Sequence, residues 1–538
     1  MKISNGSGSP LIEAMKRTGF YPERAEQIEF KQTHMSYVFL AGDYVYKVKK
    51  PVHFDFADCS TLATRYALCC EEVRLNRRLA PEIYIGVMPI YREHDRFYLG
   101  LEGRSFDPAA QEYAVKMRRL PEDRMLNRLV RAGEVSMAVI DRLAKRLAEF
   151  HRGAFTPAGS RYGSATSVCR SVLDNLDECE RFIGETITGE QFVAIHEYLK
   201  GFVAAHYELL NNRVRQGYVR DGHGDLRCEH ICMTENIQIF DCLEFSERLR
   251  CADVAADIGF LAMDLDSIGA LQLADELAYA YAKETADDSF AILITFYKCY
   301  RACVRGKVEG LKSLEREVPA AERAEARDRA RAYFSLAYRY ASHARPALVI
   351  VCGLSGTGKS TVSRTLRYRT GFEVLDSDRI RKRLAGVPEM SRPDAAYGTG
   401  IYSPAFDRLT YDTLIAEANG HLRNGRGVII DATFRRPQDR HAALTTGNQL
   451  GVPVLFIECQ ANQAEVLSRL WERSRKGDDP SDATGEVYLH QRAEFVPLRE
   501  FPARQHLVVD TTAGTEHALT SIEYALSHLV ERRRTPVT

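Results

Sequence analysis

A glycine-rich loop directly behind an apolar strand is the feature that most constrains this chain. The run GLSGTGKST at 353–361 follows the apolar segment ALVIVC and fits the pattern GxxxxGK[ST]. Glycines let the backbone bend around a phosphate, so that its N–H groups and the positive end of the following helix face the anion. A merely flexible glycine turn is the alternative interpretation. The pattern predicts nucleotide binding by Gly353, Ser355, Gly356, Thr357, Gly358, Lys359, Ser360 and Thr361, in which Lys359 reaches the outer phosphates and Ser360 holds magnesium.

Strands and helices alternate regularly after Pro346. Such an alternation predicts a parallel sheet that is covered by helices on both faces, as in the α/β/α sandwich of a P-loop domain. We therefore expect a domain at 347–538. Its strands are predicted at 347–352, 373–376, 427–431, 453–458 and 506–510.

The second of these strands ends in the segment DSDRIR. Asp378 and Arg381 are three residues apart and share one face of a helix that begins there. A carboxylate beside the phosphates can accept the proton of an attacking hydroxyl, and an arginine one turn later can bind an anionic substrate group. The alternative is a helix cap at Asp378 followed by a solvated arginine.

Further charged residues follow along the chain. Asp431 ends the strand at 427–431 and is placed like the second magnesium-site carboxylate of P-loop enzymes. Basic residues on a mobile lid can close over a phosphoryl group, although a basic helix end can also interact with its own dipole. We predict a substrate contact for Arg469 and a catalytic role for Arg473; the basic segment of this lid comprises Arg469, Arg473, Arg475 and Lys476, followed by the loop 477–482.

The first 340 residues have a different pattern. Short strand-like runs precede a long helical region, which predicts an α+β domain with a small sheet lobe and a helical lobe. The charge-rich segment at 313–341 is expected to be a solvated helix that leads to the second domain. Strands are predicted at 37–40, 44–49, 83–90, 97–101 and 113–118, a helix at 62–79, and helical sequence at 139–218 and 252–340 around a loop region at 222–245.

Composition restricts the function class. The 538 residues include 73 basic and 73 acidic side chains, so net charge does not indicate a nucleic-acid or membrane binder. Thirteen scattered cysteines and the absence of a membrane-length apolar run favour a cytoplasmic protein with reduced thiols. A zinc site built from Cys228, His230, Cys232 and Cys242 is a weaker alternative, since its spacing fits no common zinc module.

The carboxy-terminal residues resemble the P-loop kinases that include gluconate kinase, zeta toxins and the 5′-kinase domain of polynucleotide kinase. The resemblance rests on GLSGTGKST, DSDRIR, VIIDATF and the arginine-bearing lid. It implies a base role for Asp378, a substrate contact for Arg381 and lid roles for Arg469 and Arg473. It does not identify the acceptor.

The segments HGDLRCEHI and IFDCLEF resemble the catalytic and metal-binding loops of the aminoglycoside phosphotransferase family. The resemblance implies that Asp225 contacts the acceptor hydroxyl and that Asp241 binds metal. His230 stands where the family has a metal-binding asparagine, and imidazole is a poor magnesium ligand.

The same resemblance extends upstream. It implies that Lys47, with Lys49 as an alternative, pairs with phosphate and with Glu72, and that the loop 33–36 covers the phosphates. His223, Asp253 and Asp257 are expected to be structural. The whole chain is similar to fused proteins described as aminoglycoside phosphotransferase plus ATP-binding kinase.

We therefore predict a kinase with two phosphotransferase modules that use ATP and Mg²⁺ and act on a small-molecule or polymer hydroxyl acceptor. One alternative is a single active P-loop kinase with a pseudokinase-like amino-terminal module that binds a ligand. Another is a kinase that acts on nucleic-acid ends or a toxin-like enzyme, which net charge does not favour.

Overall fold

The computed structural model divides the chain into two compact units. The first comprises residues 1–167 and 208–285, and the second comprises 168–207 and 286–538. The domain limits 1–340 and 347–538 follow sequence pattern rather than compactness, and they stay a prediction. The structure describes residues 9–54, 57–103, 105–157, 162–315, 318–391, 398–476, 481–512, 521–522 and 525–526.

A twisted antiparallel sheet opens the first unit. Among the described residues it has six strands in the order β1-β2-β3-β8-β6-β7. One face carries the buried side chains of Phe39 and Tyr46, and the other packs through Val87 and Val115 against Val73 of helix α2. This is the predicted small sheet lobe with one helix on it; strand β1 was not predicted. The elements are α1 (Pro10–Met15), β1 (Ile28–Gln32), β2 (Ser36–Ala41), β3 (Tyr44–Lys49), β4 (His53–Phe54), β5 (Ala57–Asp58), α2 (Leu62–Asn76), β6 (Tyr84–Glu93), β7 (Arg96–Leu99) and β8 (Glu112–Arg118).

Helices and short strands follow the sheet. Helix α9 is mostly apolar and is buried along almost its whole length, and Asp253 caps its first turn. The predicted loop region lies between the paired strands β9 and β12. The elements are α3 (Leu126–Arg131), α4 (Met137–Gly153), α5 (Ala165–Cys179), α6 (Gly189–Ala205), α7 (Tyr207–Arg215), β9 (Val219–Asp221), β10 (Ile231–Cys232), β11 (Gln238–Ile239), α8 (Glu247–Arg250), β12 (Cys251–Asp253), α9 (Val254–Ser267) and α10 (Leu271–Thr285).

Two long helices of the second unit, α11 (Phe290–Leu314) and α12 (Ala320–His343), pack against each other. The expectation of a solvated helix at 313–341 is wrong for one of its faces. Ala326, Ala330 and Phe334 recur at helical spacing and are fully buried. A Cβ atom on Gly306 of α11 would lie 2.8 Å from the ring of Phe334. The charged residues of α12 thus flank a buried apolar stripe that consists mostly of alanines.

A parallel sheet follows in the second unit, and its five strands among the described residues have the order β14-β15-β13-β16-β17. Side chains of β13 alternate between two cores, with Ile350 on one face and Val349 on the other. Asp376 and Asp431 are register partners at the carboxyl ends of β14 and β15. The predicted strands are confirmed. The elements are β13 (Leu348–Cys352), α13 (Lys359–Thr370), β14 (Glu373–Asp376), α14 (Ser377–Leu384), α15 (Pro404–Arg423), β15 (Val428–Asp431), α16 (Pro437–Leu450), β16 (Val454–Gln460), α17 (Gln463–Lys476), α18 (Gly485–Glu494) and β17 (His506–Asp510).

In the described part of the chain, we find no helix that combines the length and the apolar character needed to cross a bilayer.

Candidate active sites

The loop between β13 and α13 has the backbone that a phosphate-binding loop needs. Gly353, Gly356 and Gly358 have φ angles of 128°, 81° and 85°, which L-residues with side chains rarely adopt. A Cβ atom on Gly353 would lie 2.4 Å from the carbonyl oxygen of Cys459. Helix α13 starts at Lys359, and Gly358 at its N-cap provides no side-chain cap. The loop and the helix end therefore present backbone N–H groups for an anion.

Hydrogen bonds hold this loop in shape. Lys359 Nζ donates to the Leu354 carbonyl at 3.0 Å, so the ammonium lies over the loop. The backbone N–H of Ser355 donates to Gln491 Oε1 at 3.0 Å, and Thr511 Oγ1 donates to the carbonyl of Thr357 at 2.8 Å. The residues of the sequence motif thus lie together, and α18 and the segment after β17 brace them.

Three carboxyl groups lie near the loop where β14 and β15 end. Burial raises the pKa of Asp376 to about 7, and the charges of Asp431 and Asp378 add to this rise. Burial also raises the pKa of Asp431, against the opposing effects of Lys359 and of the Ser360 hydroxyl. Negative charge is therefore crowded at this edge of the sheet.

This donor set fits a magnesium ion. Carboxylate and hydroxyl oxygens are the ligands that Mg²⁺ prefers, together with water and phosphate oxygens. Burial is the main cause of the raised pKa of Asp376 and Asp431, and a divalent cation would relieve the repulsion between carboxylates that adds to it. Asp431 and Ser360 are the residues that would hold it.

The structure decides between the two interpretations of Asp378 and Arg381 that the sequence left open. Asp376, not Asp378, caps α14 by accepting from the N–H groups of Asp378 and Arg379 at 2.8 and 2.9 Å. Arg381 is buried, pairs with Asp407 at 2.8 Å and is not solvated. A cap at Asp378 with a solvated arginine is therefore wrong. Asp378 is half-buried, and its carboxylate does not cap the helix, because Asp376 does so.

Of the predicted lid residues on α17, Arg469 lies beside the loop. Arg469 donates to the Thr511 carbonyl at 2.6 Å, and a Cβ atom on Gly358 would lie 3.5 Å from Arg469 Nη1. Arg473 donates to the Ala483 carbonyl at 3.1 Å, which belongs to the segment before α18 rather than to its own helix. The guanidinium of Arg475 lies 4.8 Å from the ring of Trp471. The Lys476 side chain and residues 477–480 lie outside the described residues.

The first unit has a second cluster of charges, where β3, α2 and the loop after β11 meet. Lys47 lies 2.9 Å from Glu72 and 2.6 Å from Asp241, and Lys49 lies 2.7 Å from Glu72 and 2.5 Å from Glu244. Although burial opposes it, the ammonium of Lys47 holds the pKa of Asp241 well below its usual range. The predicted pair of Lys47 and Glu72 is present, but Lys49 joins it.

Asp225 lies in the same cluster and is bound by a residue that the sequence reasoning did not use. Arg227 donates two hydrogen bonds of 3.1 Å to the Asp225 carboxylate. His230 Nδ1 lies 2.9 Å from the Asp225 carbonyl oxygen, and its Nε2 lies 3.6 Å from Asp241. The structure therefore brings Asp225, His230 and Asp241 together, as predicted from the two loops.

The loop that carries Asp225 is fixed from behind. Asp257 accepts hydrogen bonds from the N–H groups of His223 and Gly224 at 2.6 and 2.9 Å. His223 is buried, and burial lowers its pKa to about 4. Asp253 caps α9 and pairs with Arg213 at 2.6 Å. These contacts agree with the structural roles expected for His223, Asp253 and Asp257. The loop 33–36 is the turn between β1 and β2, where Thr33 Oγ1 accepts from the Ser36 N–H.

A zinc site is not formed by the cysteines near His230. Cys232 donates to the Pro121 carbonyl and Cys242 to the Gly222 carbonyl. No three His, Cys, Asp or Glu side chains of the described residues are grouped as ligands of a metal ion. All thirteen cysteines lie within the described ranges and carry free thiols.

Several residues around the two sites escaped the sequence reasoning. Gln491 lies 136 residues after Ser355, and only folding brings it to the site. Lys382 directly follows the segment DSDRIR. Asp376 precedes the predicted base by two residues, and its position at the strand end was a usable signal. Arg227 lies two residues after Asp225, and this short spacing could have indicated a contact.

Comparison with known proteins agrees with this geometry. Residues 348–498 match a family model described as an AAA domain. The protein Rv2004c of Mycobacterium tuberculosis (strain ATCC 25618 / H37Rv) is 31% identical over 464 residues, which are 86% of this chain and 88% of that protein. The chain belongs to the Rv2004c family. The family therefore spans both units, since the match covers most of the chain.

Human adenylate kinase isoenzyme 5 is 26% identical over 200 residues, which are 36% of this chain and 34% of that protein. A choline/ethanolamine kinase family protein from Mesorhizobium loti has 17% identity and a TM-score of 0.37, over 62% of this chain and 99% of its own. The structure itself shows the predicted architecture, with a small sheet lobe and a helical region in the amino-terminal part and a parallel sheet with a P-loop in the carboxy-terminal part. The prediction of a kinase with a nucleotide-binding P-loop is confirmed as well.

Proposed function

We propose that the chain is a phosphotransferase that uses ATP and Mg²⁺ and transfers the terminal phosphoryl group to a hydroxyl of a small molecule or polymer. Two modules take part, one around Lys359 and one around Asp225. The observation that carries the proposal is the meeting of a glycine loop, a lysine and crowded carboxyl groups at one sheet edge.

In the P-loop module, each residue has a distinct task. The loop N–H groups and Lys359 bind the phosphates, and Asp431 and Ser360 hold the cation. Magnesium, when bound, supplies positive charge against the phosphate oxygens. Asp378 accepts the proton of the acceptor hydroxyl, while Arg381 contacts the acceptor. Arg469 and Arg473 belong to the predicted lid, and their positive charges offset the negative charge that develops during transfer.

In the other module, Asp225 orients the acceptor hydroxyl and Asp241 holds metal. Lys47 pairs with phosphate while Glu72 positions its ammonium. His230 lies close enough to both aspartates to take part in the same site. The imidazole of His230 favours a bound magnesium ion less than the amide oxygen of an asparagine would.

A second candidate function is favoured by the contacts of Asp225 and Asp241. Both carboxylates are neutralised by protein side chains, Arg227 and Lys47. Under this proposal the first unit binds a ligand without transferring phosphate, and the P-loop module alone is active. A kinase acting on nucleic-acid ends or a toxin-like enzyme is a third possibility, which no contact described above favours.

The test is a transfer assay with γ-labelled ATP and panels of sugars, amino alcohols, nucleosides, RNA and DNA. Wild type is compared with the variants Lys359→Ala, Asp225→Asn and Asp378→Asn. We expect label transfer that requires Lys359 and Asp378. Transfer that persists in Lys359→Ala but disappears in Asp225→Asn assigns that acceptor to the first unit.

A cytoplasmic location is also part of the proposal, and the thirteen free thiols support it.

A further inference from the structure

A carboxylate from the segment after α17 lies in a cationic pocket near the proposed base. Asp482 Oδ1 accepts a hydrogen bond of 3.2 Å from the ammonium of Lys382, and Asp482 Oδ2 accepts one from the hydroxyl of Tyr402. The side chain of Lys382 is 1% exposed and that of Asp482 is 14% exposed. Neither sequence motif nor comparison assigns a role to these three residues.

The pocket is built to bind an anion. A buried ammonium is costly unless a negative charge lies beside it, and the Glu389 and Ser391 carbonyl oxygens hold Lys382 Nζ in position at 3.0 and 2.6 Å. The pocket therefore has a fixed cation and a phenol that point to one place. Asp482 fills that place.

Arg381 extends the pocket toward the reaction centre. Its guanidinium lies 5.2 Å from the centre of the Tyr402 ring. Its Nε atom is buried and has no hydrogen-bond partner among the described residues. The negative charge of Asp378 contributes to raising the pKa of Tyr402, although burial is the larger cause. Asp378 lies three residues before Arg381 on α14 and therefore on the same helix face, which places the proposed base beside the pocket.

Asp482 is carried by a segment that belongs to the lid. It precedes α18, whose Gln491 accepts from the Ser355 N–H of the phosphate loop. It follows α17, whose Arg473 donates to the neighbouring carbonyl of Ala483. Lid segments move when substrates enter and leave, so the carboxylate of Asp482 can exchange with an anion from solution.

We propose that the acceptor carries a phosphate or carboxylate group besides its reacting hydroxyl, and that Asp482 occupies the binding place of this group. The inference rests on the proposed function, because it assigns a substrate class to the P-loop module. Lys382 and Tyr402 then determine the specificity for anionic acceptors, and Asp482 competes with the acceptor.

The only tryptophan of the chain reports on the test. Trp471 lies on α17 and is 60% exposed. Its fluorescence is followed while inorganic phosphate or acetate is added to the full chain, with Mg²⁺ and a saturating concentration of the non-hydrolysable analogue AMP-PNP to fill the phosphate loop. Asp482→Asn keeps the shape of the side chain and removes its charge. Asp412→Asn removes the same charge from an exposed position of α15 and is the matched control.

We expect Asp482→Asn to lower the half-saturating concentration of phosphate or acetate at least tenfold, and Asp412→Asn to leave it unchanged. Tighter binding of phosphate assigns a phosphorylated acceptor, and tighter binding of acetate assigns a carboxylic acid. Lys382→Met should remove the response. Anion binding that is equal or weaker in Asp482→Asn overturns the inference, and Asp482 then only holds its segment against Lys382 and Tyr402.

The affinity for AMP-PNP is measured first in the same samples. Absence of AMP-PNP binding contradicts the proposed function itself. Normal AMP-PNP binding with an unchanged anion affinity contradicts only the anionic acceptor. The two failures are therefore distinguishable.

Discussion

In the site of the first unit, Lys47 and Lys49 lie directly against Glu72, Asp241 and Glu244, whereas the carboxyl groups of the P-loop site crowd one another. The direction of the pKa shifts records the difference. The pKa of Asp241 is lowered, and that of Asp376 is raised to about 7 by burial and by its acidic neighbours.

The difference teaches how the two sites are prepared for ligands. The P-loop site has an excess of negative charge that a divalent cation can neutralise. The other site has neutralised its own charges, so a cation there must first displace an ammonium group. Similar chemistry at the two sites would therefore have different energetic costs.

The largest expected effect is on catalysis at the P-loop. Lys359→Ala should lower phosphoryl transfer by about a hundredfold or more, because the outer phosphates lose their closest ammonium group. The measurement is label transfer from γ-labelled ATP. Lys145→Ala, which removes an exposed lysine from α4, is the control. Full activity of Lys359→Ala would contradict the assignment of phosphoryl transfer to the P-loop site.

Asp225→Asn tests whether the neutralised site is active. We expect about a hundredfold loss of one separable transfer activity, since a positioned acceptor-binding carboxylate contributes at least that much. Transfer that depends on Lys359 should persist. If every ATP-dependent activity is unchanged, the first unit is the non-transferring module.

Lys49→Met tests the charge network of the first unit. The substitution leaves Glu72 and Glu244 buried with less positive charge, and loss of one partner of a buried pair costs about 3–5 kcal/mol. Urea unfolding gives the free energy. Lys145→Met removes an ammonium from a solvated pair and should change stability far less. Equal losses in both variants would show that the network is not a buried one.

Magnesium tests the unbalanced charge of the P-loop site. Mg²⁺ at about ten times its dissociation constant should stabilise the wild type by about 1.4 kcal/mol, and Asp431→Asn should remove most of this gain. The measurement is the thermal midpoint with Mg²⁺ and with EDTA. Lys47→Met serves as the contrast. Its response to Mg²⁺ should be at least that of the wild type, because the variant lacks the ammonium group that a cation in the first unit must displace. Loss of the response in Lys47→Met alone would reverse the comparison.

The last prediction concerns His223, whose folded-state pKa is lowered from 6.5 to about 4 by burial. The folded protein binds this proton more weakly than the unfolded chain, so stability is full above pH 6.5 and falls as the pH drops toward 4. His223→Gln should flatten the slope by up to about 1.4 kcal/mol per pH unit in this window. Unfolding midpoints at pH 4.5, 5.5 and 7.5 measure it. An unchanged slope would mean that His223 is protonated in the folded state.

Much of the fold could be predicted, because local patterns determine it. The apolar run before Gly353 and the period-two strands of the first unit have signals within a few residues. Helix α12 was harder, because its buried stripe consists mostly of alanines, which have little hydrophobic contrast with the charged residues around them.

The sites were predictable where function needs a fixed spacing. Lys359 and Asp225 follow from such motifs. The structure places Lys359 over the glycine loop and Asp225 beside His230. The burial of Arg381 and the contact of Lys382 with Asp482 were not predictable, because each depends on a partner from another part of the chain. Arg381 pairs with Asp407, and Lys382 contacts a residue 100 positions away. Paired charges of this kind leave no periodic signal in the sequence.

Equilibrium titration with a fluorescent ATP analogue tests the central claim most directly. The wild type and the Lys49→Met variant should bind the nucleotide in the presence of Mg²⁺, and Lys359→Ala should bind it at least tenfold more weakly. Nucleotide binding that does not depend on Mg²⁺, or that is as tight in Lys359→Ala as in the wild type, would contradict the assignment of the phosphate loop.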